Sequence, residues 1–106
     1  MQSIKNSTTT PLAKGGIFFG SYDDVIPYSS IVLTINSDTT NEISVYASMD
    51  KKTTTKTIYI SPANEVKTFI ISPSSLPYIY ITVRNNSNTN QTLLNFCAMY
   101  SPSAFY

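Results

Sequence analysis

The chain has no histidine and no tryptophan. Without histidine there is no imidazole to act as general base near neutral pH and no Ser-His or Cys-His nucleophilic pair; the commonest zinc ligand is also missing. A single cysteine, Cys97, excludes an internal disulfide and leaves too few ligands for a zinc or copper centre. Charge is scarce as well: 7 basic and 6 acidic side chains make up 12% of the residues, with a net charge of +1. That is about half the ~25% of an ordinary soluble domain. With no arginine-rich stripe the chain lacks the electrostatic footprint of a nucleic-acid binder, and Lys51, Lys52 and Lys56 read as solvated loop lysines. No apolar stretch approaches the ~20 residues of a membrane helix, so no membrane insertion is expected. Glycine is limited to Gly15, Gly16 and Gly20, and the Asn-Gly or Asp-Gly pairs of tight two-residue hairpins are absent.

Hydroxyls and amides fill the gap: 15 Ser, 14 Thr and 9 Asn occupy more than a third of the 106 residues. Such a surface repels its neighbours weakly and packs against them without stranding charges. One domain is the expectation at this length. Runs of β-branched and aromatic residues recur at Ile17–Phe19, Ile31–Ile35, Ile43–Ala47, Thr57–Ile60, Val66–Ile71, Tyr78–Val83 and Leu93–Tyr100, with an eighth around Tyr22–Ile26. Their period is two. Ile31, Leu33 and Ile35 share one face, as do Ile43, Val45 and Ala47, and Ile79, Ile81 and Val83. The six prolines fall between or at the edges of these runs. Connections such as 21–29, 37–41, 49–56 and 84–92 are long enough to carry strands between two sheets. The pattern predicts an all-β, antiparallel two-sheet sandwich of seven or eight strands, with jelly-roll or Greek-key wiring. Residues 1–14 read as an N-terminal arm that is mobile or ordered by a neighbour, 15–100 as the sandwich, and 101–106 as a tail.

Chemistry has few places to reside. The acids are Asp23, Asp24, Asp38, Glu42, Asp50 and Glu65, and a glycosidase would need two of them about 5–10 Å apart in a cleft. Asp23-Asp24 with Asp38 or Asp50 could share a calcium ion, but no Asp-x-Asp-x-Asp-Gly loop is present and turn capping explains these residues more simply. No catalytic residue, metal or cofactor is therefore expected. Cys97 sits in an apolar run and reads as a buried thiol. The Asn6, Asn85 and Asn90 sequons follow from the Asn/Ser/Thr bias. The most functional-looking residues are the tyrosines that alternate with core positions: Tyr28, Tyr46, Tyr59, Tyr78 and Tyr80. Outward tyrosines either stack on sugars and partner proteins or pair across strands. Phe105 and Tyr106 add an apolar end to the tail.

The stretch Phe19-Gly20-Ser21-Tyr22-Asp23-Asp24-Val25, followed by Tyr28-Ser29-Ser30-Ile31, Ser37-Asp38 and Ser48-Met49-Asp50, resembles a pattern of small viral β-sandwich domains. Such domains occur in phage tail and baseplate proteins and in capsid-associated proteins of large DNA viruses. The closing strand Tyr78–Asn86, rich in aromatics and carrying Arg84, is similar too. Lys51 stands where glycine commonly follows Ser-x-Asp, and the tryptophan often found shortly after is missing. The resemblance implies a virion structural protein, made in the host cytoplasm without a signal peptide: a minor capsid, vertex or capsid-decorating component. Its expected partners are further copies of itself and other capsid proteins. The alternative is a carbohydrate- or receptor-binding module, in which a glycan is the partner.

Overall fold

In the computed structural model, residues 2–25, 28, 30–71 and 77–101 are described. They form eight strands: β1 (Ile17–Phe19), β2 (Asp23–Asp24), β3 (Ser30–Ser37), β4 (Asn41–Ser48), β5 (Thr54–Ser61), β6 (Lys67–Ile71), β7 (Tyr78–Asn85) and β8 (Leu94–Ser101). These make two antiparallel sheets. One has the order β1-β7-β4-β5, with β2 pairing β7 beyond the end of β1; the other has the order β6-β3-β8. The expected sandwich is present, and its core consists of the alternating residues read from the sequence. Ile31, Leu33 and Ile35 of β3 meet Ile43 and Val45 of β4 and Ile79, Ile81 and Val83 of β7, with Phe96 and Tyr100 of β8 between. Connection 49–53 differs from expectation: it closes a β4–β5 hairpin within one sheet instead of crossing between sheets.

The hairpin shows why its loop needs particular residues. Ser48 Oγ accepts from the Asp50 and Lys51 amides (3.2 and 2.8 Å), and Asp50 Oδ1 accepts from those of Lys52 and Thr53 (2.8 Å each). These bonds to backbone amides hold the Asp50 carboxyl below its ordinary value. Lys51 is turned to φ 64°, in the left-handed region, which is the physical reason glycine suits the position after Ser-x-Asp.

Residues 2–12 are not a free arm. Residues 2–8 run along the edge of β8, where the Ser3 amide donates to Ala98 O (2.7 Å) and Thr8 and Phe96 exchange two bonds of 2.9 Å. Within this segment Asn6 is fully buried. Its Oδ1 accepts from the Ile81 amide (2.9 Å), and its Nδ2 donates to Ser21 O (2.9 Å) and Asp23 Oδ2 (2.8 Å). The β1–β2 edge breaks at residues 20–22, and the Asn6 amide supplies the partner that Ile81 would otherwise lack there. Gly20 is required by this arrangement. A Cβ at Gly20 would overlap Asn6 Oδ1 and come within 2.7 Å of Ile81 O.

Asp23 Oδ2 also accepts from Ser3 Oγ and from the Tyr100 hydroxyl (2.6 Å), and Lys5 Nζ lies 3.8 Å from Oδ1. Burial pushes the Asp23 carboxyl up. The hydrogen bonds from Ser3, Tyr100 and Asn6, with the Lys5 charge, outweigh it and hold the group below its ordinary value. Burial and the Asp23 contact push Tyr100 strongly up. At the other end of the sandwich a second buried polar cluster ties the loops. Gln91 Nε2 donates to Asn41 Oδ1 (2.6 Å) and Thr39 Oγ1 (3.0 Å), while Asn85 Nδ2 donates to the carbonyls of Leu12, Ala13 and Thr89. Asn6 and Asn85 are thus buried and bonded, so neither sequon can carry a glycan in the folded chain. Cys97, read as buried, is half-buried on the outer face of its sheet, opposite Thr34.

Candidate interaction surface on the outer sheet face

Strand parity sorts the tyrosines. In β4 and β7 the core residues alternate with Tyr46, Tyr78 and Tyr80, which the register sets on the outer face of the five-stranded sheet. Tyr59, read as outward, lies opposite Ile43 and turns inward, packing its ring 4.9 Å from that of Phe69. Tyr28 also packs against the core, its ring 5.2 Å from Tyr100. Phe105 and Tyr106 lie outside the described residues. The structure thus brings three of the seven candidates to one face and adds Tyr22, which the sequence reading left out.

Tyr46 and Tyr80 oppose each other across β4 and β7, and their rings stack at 4.5 Å and 9°. Tyr22 meets Tyr80 edge to face at 4.8 Å. Lys56, opposite Tyr46 on β5, sets Nζ 5.6 Å from the Tyr46 centroid. Because the strands run β7-β4-β5, the four residues form one row in the order Lys56, Tyr46, Tyr80, Tyr22, and each neighbour covers a ring face. Burial, with Tyr46 and Tyr22 alongside, pushes the Tyr80 hydroxyl up. Tyr78 carries Lys51 Nζ 4.7 Å above its ring. A sugar that stacks needs an open ring face, and Tyr46 and Tyr80 already turn one face each to the other.

The next row along the strands is Ile58, Ser44, Thr82 and Phe19, again in register. Its two central residues are small and almost covered, Ser44 at 3% and Thr82 at 8% exposure, while the flanking Phe19 is 70% and Ile58 48% exposed. Ile60 and Ile17 extend the two apolar flanks, at 55% and 43%. Between them Glu42 and Arg84 occupy opposing positions. The face is therefore an apolar trough with a closed tyrosine row at one end and an acid–base pair at the other. No sequence signal marked Phe19 or Ile58, because their exposure follows from the register alone.

The carboxylates do not gather. Asp23 is held inside, and Asp50 caps the hairpin loop. Asp38 accepts from Thr92 Oγ1 (2.6 Å) and from the Thr92 and Leu93 amides, bonds that lower its carboxyl. Among the described residues no three His, Cys, Asp or Glu side chains are grouped as a metal site would require.

No protein-family model matches the chain, and no curated protein matches it. Among solved structures it is similar to PBSX exported protein XepA, with a TM-score of 0.80 at 13% identity over 100% of this chain and 38% of that one. It is also similar to PirA, with a TM-score of 0.56 at 14% identity over 92% of this chain and 94% of that one. The chain spans well under half the length of XepA. At these identities the likeness is one of fold, and in XepA it extends over the whole chain, including the segment before β1.

Proposed function

We propose that this chain is a virion structural protein, a minor capsid, vertex or capsid-decorating component that works through protein–protein contact. The outer face of the five-stranded sheet is its contact surface. The observation that carries this reading is the concentration of exposed Ile17, Phe19, Ile58 and Ile60 on one face, beside Tyr46 and Tyr80 rings that stack on each other. Exposed apolar area rimmed by polar groups is what a protein interface presents, and the sparse charge leaves little repulsion between neighbours. The likeness in fold to the PBSX exported protein XepA and the viral motif pattern support the setting.

Light scattering after size exclusion tests it. The chain is expected to associate with itself or with capsid chains from the same source. Phe19→Arg is expected to weaken that association about tenfold or more, by placing a charge in a desolvated contact, with the melting temperature unchanged. Equal association in wild type and Phe19→Arg would remove this face from the reading.

One observation favours a carbohydrate- or receptor-binding module instead. Phe19 has no ring partner among the described residues, so a sugar could stack there beside Arg84 and Glu42. A glycan array on wild type and Phe19→Arg decides it. Binding by a monomer that is lost in the variant would establish the module.

A further inference from the structure

Each sheet ends in strands whose outer N–H and C=O groups could pair with another chain, and folded proteins guard such edges by shortness, cover, proline or an inward-pointing charge. Most edges here are guarded. Residues 2–8 lie along β8, with bridges at Gln2–Met99 and Thr8–Phe96. β1 and β2 have 3 and 2 residues. β6 has 5, and its Lys67, opposite core residue Ile35, takes an inward position where a docked strand would bury the charge.

β5 has none of these devices. It runs for 8 residues, Thr54–Ser61, without a proline. It pairs with β4 on one side only and is exposed along most of its length. Its single charge, Lys56, lies over the Tyr46 ring on the sheet face and not across the edge. Among the described residues nothing covers its free side.

We propose that β5 pairs antiparallel with β5 of a second copy, joining the two five-stranded sheets into one across a two-fold axis. A two-fold contact requires a strand that complements itself, and β5 does so. With Ile58 opposite its own copy, Thr57 faces the partner's Tyr59 and Lys56 faces the partner's Ile60. Ile58 and Thr57–Tyr59 make β-branched and aromatic pairs, each Lys56 meets an apolar side chain, and no like charges are opposed. The register that would bring Lys56 against its copy is disfavoured for that reason. Ile58 and Ile60, each about half exposed, gain cross-strand neighbours, while the outward backbone groups of β5 gain the hydrogen bonds that water now supplies. The inference rests on the assembly reading above and names the edge through which two copies join.

Hydrogen exchange at rising protein concentration reads the edge directly. The outward amides of 54–61 are expected to become protected as dimer forms, while amides on β1 and β2 do not. A Cys97→Ser, Ile58→Cys chain should form an intermolecular disulfide under mild oxidation. Ile58→Lys should lose about tenfold or more in dimer affinity, because it sets like charges face to face. Phe19→Arg, at the opposite edge of the sheet from β5, should weaken association through the outer face while the concentration-dependent protection of 54–61 stays. Association without concentration-dependent protection of β5 and without the Ile58→Cys cross-link would overturn the edge assignment and leave the assembly reading standing. A wild-type chain that stays monomeric at high concentration and captures no capsid chain would overturn both.

Discussion

At the residue scale, the side chains that organise this molecule are amides, hydroxyls and one carboxylate, not the tyrosines that stand out in the sequence. Asn6 replaces a missing stretch of strand beside Ile81, and Asp23 gathers Ser3, Asn6 and Tyr100 around one oxygen. The charged form of Asp23 receives these bonds, so the folded chain holds its proton less tightly than the unfolded chain does. The unfolded state then binds more protons as pH falls toward the ordinary carboxyl value of 3.8. The stabilisation from Asp23 is therefore present above that value and lost as pH falls through the lower, folded one. Thermal melts of wild type and Asp23→Asn from neutral pH to about 2 should show a gap in melting temperature that narrows on acidification. A gap independent of pH would mean that the carboxylate charge plays no part.

At the element scale, the β4–β5 hairpin and the N-terminal segment each make a checkable claim. Lys51 sits at φ 64°, a conformation that costs an L-residue about 1 kcal/mol and glycine almost nothing. Lys51→Gly should raise stability by about that amount, less whatever the contact between Lys51 and Tyr78 contributes. Denaturant titration with an unchanged m-value would check it. The N-terminal segment, expected from composition to lie outside the sandwich, fills the β8 edge and buries Ser3 and Asn6. Deleting residues 2–12 would leave the Ile81 amide unpaired, Asp23 without two donors, and a long strand edge open. Each buried group left unsatisfied costs about 1–3 kcal/mol, so the truncated chain is expected to be insoluble or to melt far below the intact one. A soluble truncation with an unchanged melting curve would show that the segment is dispensable.

At the scale of the whole molecule, the shortage of charge sets how the proposed association should respond to solution conditions. With a net charge of +1 and 12% charged residues, contacts through an apolar face and a β edge owe little to Coulomb attraction. Salt screens exposed charges beyond about 10 Å at 0.1 M, and here there are few to screen. The proposed self-association, measured by sedimentation, should therefore change less than about threefold between low and high salt. A steep weakening with salt would point to Glu42, Arg84 and the lysines as its source.

The alternation of Ile, Val and Leu with polar residues was enough to determine the sandwich and the inward faces of β3, β4 and β7, because a period of two leaves one choice of buried side. Ile31, Ile43, Ile79 and Ile81 are all buried where that period puts them. Proline positions marked the connections, since a residue without an amide proton has no place inside a ladder. Pairing was decided only by the tertiary structure. Tyr59 and Tyr28 turn inward where isolated alternation would have them outside, and Tyr46 and Tyr80 lose their open ring faces to each other, to Tyr22 and to Lys56. The strand order leaves β5 unguarded while an apparently loose segment guards β8. Local periodicity says which way a side chain points, but which strands are neighbours depends on contacts between residues far apart in the chain, and those contacts create both the surface and its free edge.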